Sequence, residues 1–129
     1  MPSVLAGIIC AGGAYDLVRW NKCSPFAPAY LIEECLSPED LPSLSPLLEV
    51  HEGLPPVKIL HGEADEINDV WQARALAKRL EEVGVDASLK TYPDMRHDFN
   101  RSSSPNVMRE YILDICFALG NFQERWKRQ

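Results

Sequence analysis

The chain has 129 residues, with 13 Lys and Arg against 19 Asp and Glu for a formal net charge of -6. This length closes over one core, so a single domain over residues 1–129 is expected, and the acidic balance argues against a phosphate-tracking groove and hence against a nucleic-acid partner. No run approaches the roughly 20 apolar residues of a membrane span, the start Met1-Pro2-Ser3-Val4 has neither a basic segment nor a long apolar one, and Cys10, Cys23, Cys35 and Cys116 form no C-x-x-C pair, so a cytoplasmic protein with buried, reduced thiols is expected.

The first predicted element is a buried strand over Val4–Cys10, an apolar run ended by Gly12-Gly13 and too short for a helix. From Ala14 to Leu54 prolines at 25, 28, 38, 42 and 46 break any regular pattern, leaving a candidate helix at Ala29–Leu36 inside a long surface excursion. Val57–Leu60 is the second strand. Asn68–Val83 follows as a helix, with Ala73, Leu76, Ala77, Leu80 and Val83 on one face and Asn68 or Asp69 as its cap. Gly84 supplies the left-handed stop, and Asp86–Tyr92 is the third strand, so the β-α-β order makes the pair parallel. Ser104-Pro105 starts a final helix by placing a capping hydroxyl before a first-turn proline. Its apolar stripe is Val107, Met108, Tyr111, Ile112, Ile115, Leu119 and Phe122. Arg125, Lys127 and Arg128 at its end are expected to complement the negative end of the helix dipole, a plainer reading than contact with an acidic partner.

Two loops carry the candidate chemistry. Asp65 lies a few residues past the second strand and His97 a few past the third, which brings both to the carboxyl edge of a parallel sheet, where sites form in open α/β folds. A carboxylate that accepts the imidazole Nδ1–H fixes the tautomer and leaves Nε2 free to take a proton from a nucleophile. Taken singly, Asp65 is equally a turn aspartate and His97 a loop histidine; the succession strand, acid, helix, strand, histidine, helix favours the catalytic pair. Asp69 is the fallback acid. Cys10, at a strand end and upstream of both, is a candidate nucleophile, against the plainer reading of a packed thiol. His61 is expected to be partly buried and to hold its turn through a backbone hydrogen bond, and Trp20, Trp71 and Trp126 to be edges of the core.

Leu54-Pro55-Pro56, His61-Gly62, Asp65, Gly84-Val85, Tyr92-Pro93, His97 and Phe99 together resemble the C-terminal part of the α/β-hydrolase superfamily, in its carboxylesterase-like branch. Ala11-Gly12-Gly13-Ala14-Tyr15-Asp16-Leu17 and Ser45-Pro46-Leu47-Leu48 resemble the S-G-x-Y-D-L loop and S-P-L segment of its kynurenine-formamidase-like and prenylcysteine-methylesterase-like members, a branch that also holds acetyl-esterase-like proteins. The chain departs from the pattern at Asp98, where glycine is frequent, and at Asn68-Asp69, which replace Val-Pro.

The resemblance implies a partial α/β-hydrolase fold: a three-stranded, mostly parallel sheet with flanking helices, standing for strands six to eight of the family. It implies Asp65 and His97 as two members of a Ser-Asp-His triad acting on a small-molecule ester or amide, with no metal or organic cofactor called for. The G-x-S-x-G turn of the nucleophile does not occur in the chain. The serine is therefore expected upstream of Met1, and the isolated chain is expected to be inactive or nearly so. Two alternatives stand beside this. One is a non-catalytic remnant serving as a binding or assembly module, which associates with itself through an open sheet edge. The other is a small cysteine hydrolase using Cys10, Asp65 and His97.

Overall fold

A computed structural model describes residues 5–23, 36–98 and 104–128. Six elements follow in chain order: β1 (Ile8–Ala11), α1 (Leu17–Cys23), β2 (Val57–Gly62), α2 (Trp71–Glu82), β3 (Ala87–Tyr92) and α3 (Pro105–Trp126). The strands form one sheet in the order β1-β2-β3, and both pairings are parallel.

β2 is central because it is apolar on both faces, as a strand covered on both sides must be. Val57 and Ile59 join Ala73, Leu76, Leu80 and Val85 in the cluster beneath α2, while Leu60 joins Tyr92, Met95 and Tyr111 beneath α3. β1 starts at Ile8 rather than at the start of the expected strand, so Leu5, Ala6 and Gly7 lie outside the sheet. The cause is local: the ladder opens with the Ile8 N–H donating to the Pro56 carbonyl at 2.8 Å, and the next rung outward needs the N–H that Pro56 lacks.

α2 is one turn shorter at its start than the predicted helix. The missing turn is used elsewhere, since the Asn68 N–H donates to the Asp65 carboxylate and the Asn68 carbonyl faces His61. Val70, just before the helix, offers no side-chain cap, and Asp69 Oδ1 takes the Trp71 N–H at 3.0 Å instead. At the other end Gly84 sits at φ 76°. The Gly84 N–H donates to the Glu81 carbonyl and the Val85 N–H to the Leu80 carbonyl, while Leu80 and Val85 share a cluster, a complete Schellman motif.

Residues 14–23 and 36–54 are less irregular than the prolines of this stretch suggest. Asp16 Oδ1 accepts the Arg19 N–H at 2.9 Å and so caps α1. Trp20 is buried against Leu41, and Ser45 Oγ accepts the Leu17 N–H while donating to the Leu41 carbonyl. These residues are interior packing rather than surface excursion. Of the predicted helix Ala29–Leu36, all but Leu36 lies outside the described residues.

α3 begins as expected, with Ser104 Oγ accepting the Val107 N–H at 3.3 Å and Pro105 in the first turn. Its buried stripe is narrower than the predicted one. Val107, Met108, Tyr111 and Ile115 reach the core cluster and Ala118 is buried, but Ile112 and Leu119 stay 52 % and 55 % exposed. Three strands present room for one stripe of the helix, and the residues flanking it face outward. Polar contacts also tie α3 to β3: Tyr92 donates its hydroxyl hydrogen to Asp114 at 2.7 Å, and Lys90 pairs with both Asp114 and Glu110. Among the described residues no helix is long and apolar enough to cross a membrane.

Candidate active site

Because β2 and β3 are parallel, the loops leaving them start at the same sheet edge, and backbone bonds hold them together. The Glu63 N–H donates to the Tyr92 carbonyl at 3.0 Å and the Ala64 N–H to the Met95 carbonyl at 3.1 Å. Gly62 makes this approach achievable, since a Cβ there would collide with the Met95 carbonyl. Asp94, left-handed at φ 58°, turns the second loop back so that Met95 is fully buried beneath it.

Asp65 and His97 meet across this gap. The Asp65 side chain has no exposed surface, and its two oxygens lie 3.0 and 3.2 Å from His97 Nδ1. Oδ1 also accepts the N–H groups of Ile67 at 3.0 Å and Asn68 at 2.8 Å. His61, with no exposed surface, stands 3.4 Å from Oδ2 through Nε2, which donates to the Asn68 carbonyl at 2.6 Å. Its Nδ1 has no partner in the interior, which assigns the His61 hydrogen to Nε2. Burial works to raise the Asp65 carboxyl, but the hydrogen bonds from His61, His97, Asn68 and Ile67 outweigh it and hold the group below its ordinary range. Asp65 is thereby kept as an anion that can only accept, so the His97 hydrogen belongs on Nδ1. Nε2 is then the basic nitrogen of a side chain that is one-third exposed.

The expected acid, not its fallback, is the one that meets the histidine; Asp69 is exposed and occupied by the Trp71 N–H. His61 is more deeply buried than expected and touches the acid as well as the backbone. Cys10 is half-buried against the cluster beneath α2, and burial pushes its thiol up, away from the thiolate a nucleophile needs. Trp20 donates Nε1–H to the Ile67 carbonyl at 2.9 Å and so braces the acid loop, whereas Trp71 lies under the Arg19 guanidinium and Trp126 is half exposed. Phe99 lies outside the described residues.

Three contributors were not legible beforehand. Gln72 is fully buried, and its Oε1 accepts the N–H groups of Tyr15 at 2.7 Å and Asp16 at 2.9 Å. Asn68 Nδ2 donates to the Gly12 carbonyl at 2.8 Å. Between them they dock the loop that follows β1 against the acid loop and the first turn of α2. The third, Glu66, accepts from the Arg96 guanidinium, which holds the Glu66 carboxyl below its ordinary range. Hydrophobic periodicity carries no signal for a polar residue whose partner lies 57 or 30 positions away.

Residues 2–123 match the prolyl oligopeptidase family. No curated protein sequence matches the chain. Among solved structures, a truncated carbohydrate esterase from gut microbiota is 20% identical over 93% of this chain and 42% of its own, with a TM-score of 0.66. Esterase 2 of Thermogutta terrifontis in its apo form is 22% identical over 86% of this chain and 40% of its own, at 0.67. The acylaminoacyl peptidase of Pyrococcus horikoshii is 20% identical over 87% of this chain and 19% of its own, at 0.75. The chain thus spans less than half the length of each of these proteins.

Proposed function

The chain belongs to the prolyl oligopeptidase family, its sheet is a portion of the α/β-hydrolase fold, and from that premise we propose that it carries the acid and the base of a serine-type ester or amide hydrolase. The observation that supports this most directly is the buried Asp65 carboxylate 3.0 Å from His97 Nδ1. In the proposed reaction Asp65 accepts the Nδ1–H and fixes the ring. His97 Nε2 takes the proton of a serine hydroxyl as that oxygen attacks the carbonyl carbon, and Asp65 stabilises the resulting imidazolium. His97 then returns the proton to the departing alcohol or amine. The substrate is a small molecule with a carboxylic ester or amide bond, a class that spans the esterases and the peptidase whose folds the chain shares.

The serine is supplied by polypeptide other than these 129 residues, which contain no G-x-S-x-G turn. Without a G-x-S-x-G turn to supply the serine and the backbone N–H that follows it as oxyanion donor, the chain alone is expected to turn over at background. The test is hydrolysis of a short-chain nitrophenyl ester by the purified chain, paired with the coding sequence immediately upstream. Background turnover together with an upstream G-x-S-x-G turn supports the proposal. Turnover abolished by Cys10→Ala overturns it in favour of a cysteine hydrolase, and unrelated upstream sequence overturns the external serine. A second reading, a non-catalytic binding or assembly module, is favoured by the exposed apolar face of α3 and by the outer edge of β1, on which no strand pairs among the described residues.

A further inference from the structure

The loop bearing the histidine is anchored well as far as Met95 and poorly after it. Met95 is fully buried, and its carbonyl holds the Ala64 N–H. Arg96 is exposed and the His97 side chain is one-third exposed, so packing alone does not hold Arg96 and His97 in place. A polar clamp does. Glu66 Oε1 accepts from Arg96 Nε at 3.1 Å and from Nη2 at 2.6 Å, and Oε2 faces the His97 backbone N–H at 3.4 Å. One carboxylate, in the residue directly after Asp65, therefore grips both the side chain before His97 and the main chain of His97 itself.

We propose that Glu66 is a positioning residue for His97: with Arg96 it latches the histidine loop to the acid loop and keeps Nδ1 within hydrogen-bond reach of Asp65. The inference rests on the proposed role of the Asp65–His97 pair, to which it adds a third group. Physical chemistry separates such a role from a stabilising one. The Arg96 and Glu66 side chains are 54 % and 33 % exposed, and exposed ion pairs add little to global stability because water and salt screen them. Their geometric effect is larger, since a carboxylate gripping two consecutive residues restricts both rotation and drift of the loop.

The experiment labels the ring nitrogens of the three histidines in the full chain and follows exchange of the His97 Nδ1–H with water by NMR, alongside the urea midpoint. In the wild type the Nδ1–H is protected, and Asp65→Asn collapses that protection to that of a free imidazole. Glu66→Ala speeds the exchange about tenfold, the weight of a lost charge-assisted hydrogen bond, and leaves the urea midpoint in place. Arg96→Ala, which cuts the latch from the other side, does the same. Wild-type exchange in both Glu66→Ala and Arg96→Ala, with protection still lost in Asp65→Asn, overturns the latch and leaves the pair standing. Protection that survives Asp65→Asn overturns the pair and the latch together. A urea midpoint that falls in step with the exchange in both latch variants overturns the positioning role in favour of a structural one.

Discussion

A carboxyl group without exposed surface is ordinarily pushed toward its neutral form, and Asp65 goes the other way because four donors surround it. The sign of the pH effect follows. A carboxyl whose folded value lies below its unfolded value of about 4 contributes stability that is fully present above the unfolded value and is lost as the pH falls through the folded one. The wild-type urea midpoint is therefore expected to drop as the pH falls below about 4, with part of that drop absent in Asp65→Asn. An acid limb identical in the two proteins would show that the hydrogen bonds around Asp65 do not favour its charge. Asp65→Ala removes the acceptor of two backbone N–H groups and of the His97 ring and is expected to cost about 3 kcal/mol at neutral pH, measurable by the same titration. At this scale the pair was readable, because Asp65 and His97 stand at fixed distances past two recognisable strands. Glu66 and Gln72 were not, because their partners come from elsewhere in the chain and a lone polar residue in a loop has no periodicity.

At the scale of elements, the sequence marks ends well where a local rule governs them and poorly where a distant partner does. Ser104-Pro105 and Gly84 obey rules of capping and handedness that need only their neighbours, and α3 and α2 start and stop at them. α2 starts later than its periodicity because Asp65 and His61 engage Asn68, and α1 leaves no mark in the local pattern because its burial depends on Leu41 and Ile67. Two glycines separate conformation from crowding. A Cβ at Gly84 meets nothing within 4 Å, so Gly84→Ala should cost only the left-handed backbone, about 1 kcal/mol. A Cβ at Gly62 meets the Met95 backbone, and Gly62→Ala should cost about 3 kcal/mol, the range for a clash that packed backbone cannot relieve. Thermal or urea unfolding of the two variants checks the order; equal losses would mean that the Met95 loop yields freely and does not fix the distance between the acid and histidine loops.

At the scale of the molecule, the sheet is finished on one side of β1 only. β1 alternates: Ile8 and Gly12 donate to Pro56 and Leu60 of the β2 segment, so by the period of two the backbone groups of Ile9 and Ala11 point to the other edge. Among the described residues no strand pairs there. α3 is unfinished in the same sense. Leu113 and Phe117 are 57 % and 72 % exposed beside the half-exposed Ile112, Leu119 and Trp126, and so broad an apolar helix face calls for a cover. In proteins more than twice as long, such surfaces have further chain available to cover them; a solution of this chain alone offers another copy. Self-association is therefore expected, with sedimentation coefficients that rise with concentration. Phe117→Lys replaces the most exposed ring by a charge and should weaken the assembly by about 2 kcal/mol, roughly thirtyfold in the dissociation constant. Ala11→Pro removes an edge N–H without touching a bond to β2 and should act independently of it. A wild-type chain that sediments as one species from micromolar to millimolar concentration would mean that neither surface is adhesive, and would remove the support that both give to an assembly module over a portion of a hydrolase.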